Sequence, residues 1–336
     1  MLKKFQVIGL CLLISGLFFI FFCPVLKAEE VDKNDAVAMT LARLEEENTF
    51  VPAQAVQPQE DIEYRQRLRE LITVENKEDL GLAADTYVRY MPSRSLDSQP
   101  GKISIIDSAS EFSYDFKAGE KLPIELSLNT RYISLNANEA IAVSLPAKLT
   151  GIGFGVQATL PTYIDKMYFR LRVLPTFNSD NWNLNGSTLR IPTHSFLIYQ
   201  PSEQWIFIGG VAVYPREQSP VLPIAGFIYK PNDRLAFNII PTPSITYAIN
   251  KNVTAFLDGD MSSTEFKVNK DGYKGAILSY NEIHLGAGLD LKVNKNINSS
   301  FSFGRMFNRN LKYRDSLGKV TMKNDYYTEF RVEMSM

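Results

Sequence analysis

The sequence predicts an all-β protein: a transmembrane antiparallel up-and-down β-barrel of about twelve strands, with a short helical N-terminal extension. Three observations predict it. The chain opens on an export leader, and from about residue 103 its hydrophobic period falls from 3.6 to 2. After Ala28 no apolar run is long enough for a membrane helix. An exported chain of long alternating strands either stays soluble or enters a membrane as a closed sheet.

Composition narrows the function classes. Among 336 residues, 36 Lys and Arg balance 37 Asp and Glu, so no basic excess points to nucleic acid. Cys11 and Cys23 both lie in the first 25 residues, and there are only two histidines. A disulfide scaffold, a thiolate zinc site and a cysteine nucleophile are excluded for the body of the protein.

Lys3 and Lys4 precede the apolar stretch Val7 to Phe22; Pro24 breaks it, and Leu26-Lys27-Ala28 leads into Glu29-Glu30. This charged, apolar and small-residue order reads as a Sec signal peptide over 1–28, cleaved after Ala28. The competing reading is an uncleaved anchor, since the run approaches spanning length. Neither cysteine follows a Leu-small-small sequence, which argues against a lipoprotein.

Residues 29–100 read as a partly helical periplasmic extension. Val37, Leu41 and Leu44 recur at helical spacing. From Asp61 to Lys77, Tyr64, Leu68, Leu71 and Ile72 share one face. That helix either plugs a pore or meets a periplasmic partner through residues 61–77, or it is a linker docked on the domain. Ser93 to Gly101 reads as the joint, and the barrel is expected over 101–336.

The strand pattern is clearest from Glu282 to Val293. Ile283, Leu285, Ala287, Leu289, Leu291 and Val293 take one side, and Glu282, His284, Gly286, Gly288, Asp290 and Lys292 the other. The same split marks Ile152 to Leu160, Ile124 to Asn129, Phe169 to Val173 and Glu329 to Met336. Asn250-Lys251-Asn252 and Asn294-Lys295-Asn296 read as hairpin turns in which Asn takes positive φ. Leu-Pro pairs at Pro123, Pro146, Pro161, Pro175 and Pro223 mark strand ends.

A soluble exported β-sandwich would also alternate. The membrane barrel is favoured by strands longer than the usual ~5–6 residues, by a polar face rich in Gly, Ser and paired charges, and by alternating short and long connections. Tyr163, Tyr168, Tyr199, Trp205, Tyr214, Tyr229 and Tyr247 gather near strand ends, as headgroup-level rings would. Two places fit poorly. Trp205 to Tyr214 is apolar on both faces, as if it packed on something inside the barrel. Arg305 falls on the Phe301/Phe303 side unless a bulge near Gly304 re-aims it.

The last segment, Asp325 to Met336, resembles the closing strand of Gram-negative outer-membrane barrels, with Met336 where Phe is usual. The likeness implies an outer-membrane location, with lipids and the barrel-assembly machinery as partners. Residues from about Leu122 to Met336 also resemble a domain-of-unknown-function family of predicted outer-membrane β-barrels. That resemblance rests on Leu145-Pro146, Leu222-Pro223-Ile224-Ala225-Gly226-Phe227, Pro231-Asn232-Asp233-Arg234-Leu235 and Pro241-Thr242-Pro243-Ser244-Ile245-Thr246-Tyr247. The family carries no established activity, so it implies no catalytic residue.

Alternation assigns Glu125, Arg131, Arg170, Arg172, Arg234, Glu282, His284, Asp290, Lys292, Glu329, Arg331 and Glu333 to the lumen. Both signs occur on neighbouring strands, so the charges must pair. Such a lining either selects small polar solutes or forms a closed, salt-bridged interior. No cofactor or metal is expected: Asp258-Gly259-Asp260 lacks the remaining oxygen ligands of a calcium loop, and Gly151-Ile152-Gly153-Phe154-Gly155 lies mid-strand with no helix after it. His194-Ser195 and His284 with Asp290 or Glu282 lack the third member of a catalytic set, so no enzyme is expected. The reading is an outer-membrane barrel serving as a small-solute channel. The alternatives are a structural barrel with a closed lumen and an exported sandwich.

Overall fold

A computed structural model describes residues 81–336 except 98, 119–121, 139–140, 183, 216–220, 240–241, 271 and 315–316. The expected leader and the Asp61–Lys77 helix fall outside the described residues.

Four long strands come first: β1 (Leu82–Ser95), β2 (Lys102–Ala118), β3 (Leu122–Ala137) and β4 (Lys148–Pro161). Beside β4 runs a strand broken at Leu174-Pro175 into β5 (Met167–Val173) and β6 (Thr176–Ser179). The next is broken at Ile191-Pro192 into β7 (Leu189–Arg190) and β8 (Thr193–Tyr199). Each proline lacks the N–H that would continue its ladder. Then come short strands, β9 (Trp205–Val213), β10 (Val221–Tyr229), β11 (Leu235–Asn238) and β12 (Ser244–Asn250). Long ones return as β13 (Val253–Lys267), β14 (Ile277–Lys292) and β15 (Ile297–Tyr313), followed by the small β16 (Lys319–Thr321) and the last strand, β17 (Asp325–Ser335).

Each wall strand pairs antiparallel with its chain neighbour, and β1 pairs with both β2 and β17. Leu82 and Met336 exchange backbone hydrogen bonds of 3.1 and 2.8 Å across this seam. The result is a closed antiparallel barrel of fourteen strands, counting β5/β6 and β7/β8 as one each and leaving β16 as an addition on β15. Closure pairs the first and last strands, which would otherwise stand as open edges.

The expected count of about twelve is therefore corrected to fourteen. The main omission is β1, in the stretch read as linker and joint; the barrel wall starts at Leu82, not residue 101. Its outward positions, Ala84, Thr86, Val88 and Tyr90, are too small or polar to stand out as an apolar face. The Asn-Lys-Asn turns lie where expected but do not use positive φ. Asn250 Oδ1 instead accepts the backbone N–H groups of Asn252 and Val253, and Asn294 Oδ1 accepts that of Asn296.

The outer face exposes Phe154, Val156, Leu197, Phe207, Ile245, Tyr247, Leu257, Leu285, Leu289, Phe301 and Phe303. A water-soluble monomer rarely shows so continuous an apolar belt, whereas a bilayer requires one. Near the turn end Trp205 stacks on Tyr229 at 4.2 Å, with Phe207 and Phe227 alongside. Tyr168 and Tyr214 depart from the expected ring of aromatics: their register places them on the inner face. Arg305 stays outward and exposed, over the Phe307 ring. The irregularity is at Asn308, whose φ of 49° shifts the face, so that Met306 before it and Arg309, Leu311 and Tyr313 after it are all buried.

Candidate functional site: the barrel interior

At the long-loop end the inner faces of the long strands meet and fill the bore. Met91, Ile103, Ile105, Ile133, Leu149, Phe266, Leu278, Tyr280, Met306, Leu311 and Tyr313 form one cluster, each at most 1% exposed. The loops contribute Leu145, Val268, Ile141 and Val143. Tyr273 stacks on Tyr313 at 4.5 Å, and the Tyr313 hydroxyl donates to the Ser144 carbonyl at 2.9 Å. This apolar cluster narrows the bore at that end.

Beneath the plug lies a charged layer centred on Arg89 of β1. Its Nε donates to Glu329 Oε2 at 2.7 Å and its Nη1 to Glu282 Oε1 at 3.1 Å. Glu282 also accepts the Tyr280 hydroxyl. Arg331 approaches Glu329 at 3.4 Å and Asp85 at 3.8 Å. Beside this group Arg131 grips Asp107 through Nε and Nη2, at 3.0 and 2.7 Å, and reaches Thr264 with Nη1. Ions taken this far from bulk water are tolerable only when paired in this way.

Between the charged layer and β6 opens a cavity of about 320 Å³, lined by Asp85, Tyr87, Glu111, Arg131, Arg331, Asn178, Leu174, Pro192, Tyr214 and Thr264 among others. Gly151 and Gly153 face this side, where a Cβ would strike Asn178 and Thr176. Their smallness makes room for the β6 side chains. Nearer the short-turn end Ile198, Ile206 and Ile228 make an apolar patch on the inner wall, joined by Tyr168, Phe196 and Ile208. This accounts for the doubly apolar segment 205–214: its inner residues pack on those of neighbouring strands.

Of the twelve residues assigned to the lumen, Glu282, His284, Glu329 and Arg331 come together around Arg89. Arg172 bonds Glu111. Glu125 accepts from Gln157, and Arg170 donates to Thr159. Asp290, Lys292 and Glu333 share the inner face towards the turn end, with Glu333 exposed. Arg234 lies exposed in the turn before β11, where its carbonyl accepts the Ala248 N–H. The residues missed are Asp85, Tyr87, Arg89, Asp107 and Glu111. The Asp85-Tyr87-Arg89-Met91 alternation was the available signal for the first three.

His194 and Ser195 point to opposite faces of β8, facing Arg172 and Leu171 respectively, so they cannot act as a dyad. The nearest hydrogen-bonding partner of His284 is the Arg89 guanidinium, at 3.5 Å. No cluster of three or more metal-ligating side chains occurs among the described residues.

Fold and lining together define a transmembrane β-barrel with a charged layer inside it and an apolar cluster at its long-loop end. The chain belongs to the family described as a domain of unknown function, DUF6268, whose model matches residues 102–336. No curated protein matches it in sequence. Among solved structures, the COG4313 outer membrane channel from Pseudomonas putida F1 is 10% identical with a TM-score of 0.43, over 79% of this chain and 98% of that one. The KdgM porin in complex with oligogalacturonate is 10% identical with a TM-score of 0.33, over 75% and 99%. The translocator domain of autotransporter NalP from Neisseria meningitidis is 9% identical with a TM-score of 0.36, over 82% and 94%.

Proposed function

We propose that the protein is an outer-membrane channel for small solutes, exported by a leader cleaved after Ala28. The observation that carries this reading is the cavity of about 320 Å³, bordered by Asp85, Glu111, Arg131 and Arg331, inside a closed wall with an apolar outer face. Its inward charges are arranged in internally paired sets, Arg131 with Asp107, Arg172 with Glu111 and Arg89 with Glu282 and Glu329. Such a lining hydrates a solute without trapping an ion of either sign. Purified, refolded protein should give discrete conductance steps in planar bilayers and admit small neutral solutes in liposome swelling.

The plug favours a second reading, a structural barrel whose lumen stays closed. On that reading bilayers stay silent, while the protein still migrates as a heat-modifiable species in the outer-membrane fraction.

A further inference from the structure

The wall is uneven in height. β1–β4 and β13–β15 hold 14 to 17 residues, but β11 holds four and β12 seven. A tilted strand needs about 9–11 residues to cross the hydrocarbon, so at β11–β12 the wall stops short. Two edges stand bare above it among the described residues. β13 pairs with β12 only as far as Asp258 and next touches a neighbour on that side at Lys267, which bridges to Ser179. β10 pairs with β11 only through Ile228 and Tyr229.

On each edge one backbone donor is removed or occupied. Phe227 accepts a hydrogen bond from the β11 side, at Ile239, so by alternation Pro223 turns that way too. Its missing N–H removes one donor from that edge. On β13, Gly259 bonds to Pro243, so Met261 faces the same gap. Its N–H is taken by the neighbouring Asp260 side chain at 2.8 Å.

The gap lies at the rim of the apolar belt. Met261, 73% exposed, is paired with Ile283, while Ser263 and Glu265 beyond it pair with the polar Asn281 and Ser279. The cavity borders the β13 side of the gap, where Ser263 and Thr264 line it, and Tyr214, one residue past β9, lines it as well. Irregular backbone at membrane depth is tolerated only where protein or a wet cavity satisfies it, and here the cavity borders the gap at Ser263 and Thr264.

Resting on the channel reading above, we propose that solutes enter this cavity sideways, from the outer leaflet, through the gap between β10 and β13, and that they are small uncharged amphiphiles. The apolar cluster narrows the axial alternative. The internally paired charges offer no net complement to an ion, while Tyr214, Leu174 and Thr264 offer ring, aliphatic and hydroxyl contacts together.

The test uses intact Gram-negative cells expressing the full chain, with N-phenyl-1-naphthylamine as the uncharged amphiphile. The barrel contains no cysteine, so Ser263→Cys can be labelled with a bulky, membrane-impermeant maleimide. Lys274→Cys, on an exposed loop, is the control. Expression should raise the initial rate of fluorescence several-fold; labelling Ser263→Cys should return it to the vector level, and labelling Lys274→Cys should not. Conductance in bilayers without faster uptake overturns the side path alone, as does full uptake by labelled Ser263→Cys. Absence of both conductance and uptake overturns the channel reading with it.

Discussion

Arg89 and Glu282 stand 193 positions apart in the chain yet meet at 3.1 Å inside the barrel, with side chains 6% and 0% exposed. They sit on β1 and β14, which are not neighbours in the wall. β15 and β17 lie between them. The pair thus crosses the bore, and with Glu329 it ties three strands through one guanidinium.

Arg89→Met should cost about 3–5 kcal/mol, because it leaves two carboxylates buried without their cation. Adding Glu282→Gln to that variant should recover part of the loss, since one stranded charge is then gone. The readout is the urea midpoint of heat-modifiable protein in detergent. Equal stability of Arg89→Met and wild type would remove the charged layer from any account of the fold.

Neighbouring positions on β14 separate a lipid-facing wall from a water-facing one. Leu289 is outward and 45% exposed, whereas Asp290 faces in. Leu289→Arg should destabilise the membrane-inserted barrel by about 2–4 kcal/mol if it lies near the midplane, while Asp290→Asn should be nearly silent. A sandwich reverses neither residue's accessibility to water and would show no such contrast in lipid against detergent-free buffer. Refolding into vesicles at graded urea gives both numbers.

How much of this was legible in the sequence depends on what each face touches. Strands such as β14 announced themselves because lipid demands Leu and Ile on one side and the bore tolerates Gly, Asp and His on the other. β1 did not, because its lipid side is Ala84, Thr86, Val88 and Tyr90. The partners of Arg131 and Arg89 were invisible for another reason: Asp107 and Glu282 are brought there by register and by the cross-bore geometry of a closed sheet, neither of which a linear pattern encodes. The plug and the low wall at β11–β12 likewise follow from where strands end.

Asn308 carries the turn in β15 at φ 49°, a left-handed conformation that Asn tolerates and β-branched residues do not. Beyond it the inward set changes from Ser302 and Met306 to Arg309, Leu311 and Tyr313. Asn308→Gly should be stable, and Asn308→Val should cost about 1–2 kcal/mol. Thermal loss of the compact gel species ranks the two.

The plug predicts its own removal. Tyr313 packs at the loop end of the bore, stacks on Tyr273 and holds the 141–147 segment through the Ser144 carbonyl. Tyr313→Ala deletes the ring and the tether together, leaving a cavity at the top of the bore and a loop free to leave it; Tyr313→Phe removes only the hydroxyl. Axial conductance in planar bilayers should rise several-fold in Tyr313→Ala and stay close to wild type in Tyr313→Phe, whose ring still narrows the bore. Because the side gap is untouched by either change, uptake of N-phenyl-1-naphthylamine should be the same in both. A Tyr313→Ala barrel that conducts no better than its parent would mean that the axial seal lies in the charged layer around Arg89 and not in the apolar cluster above it.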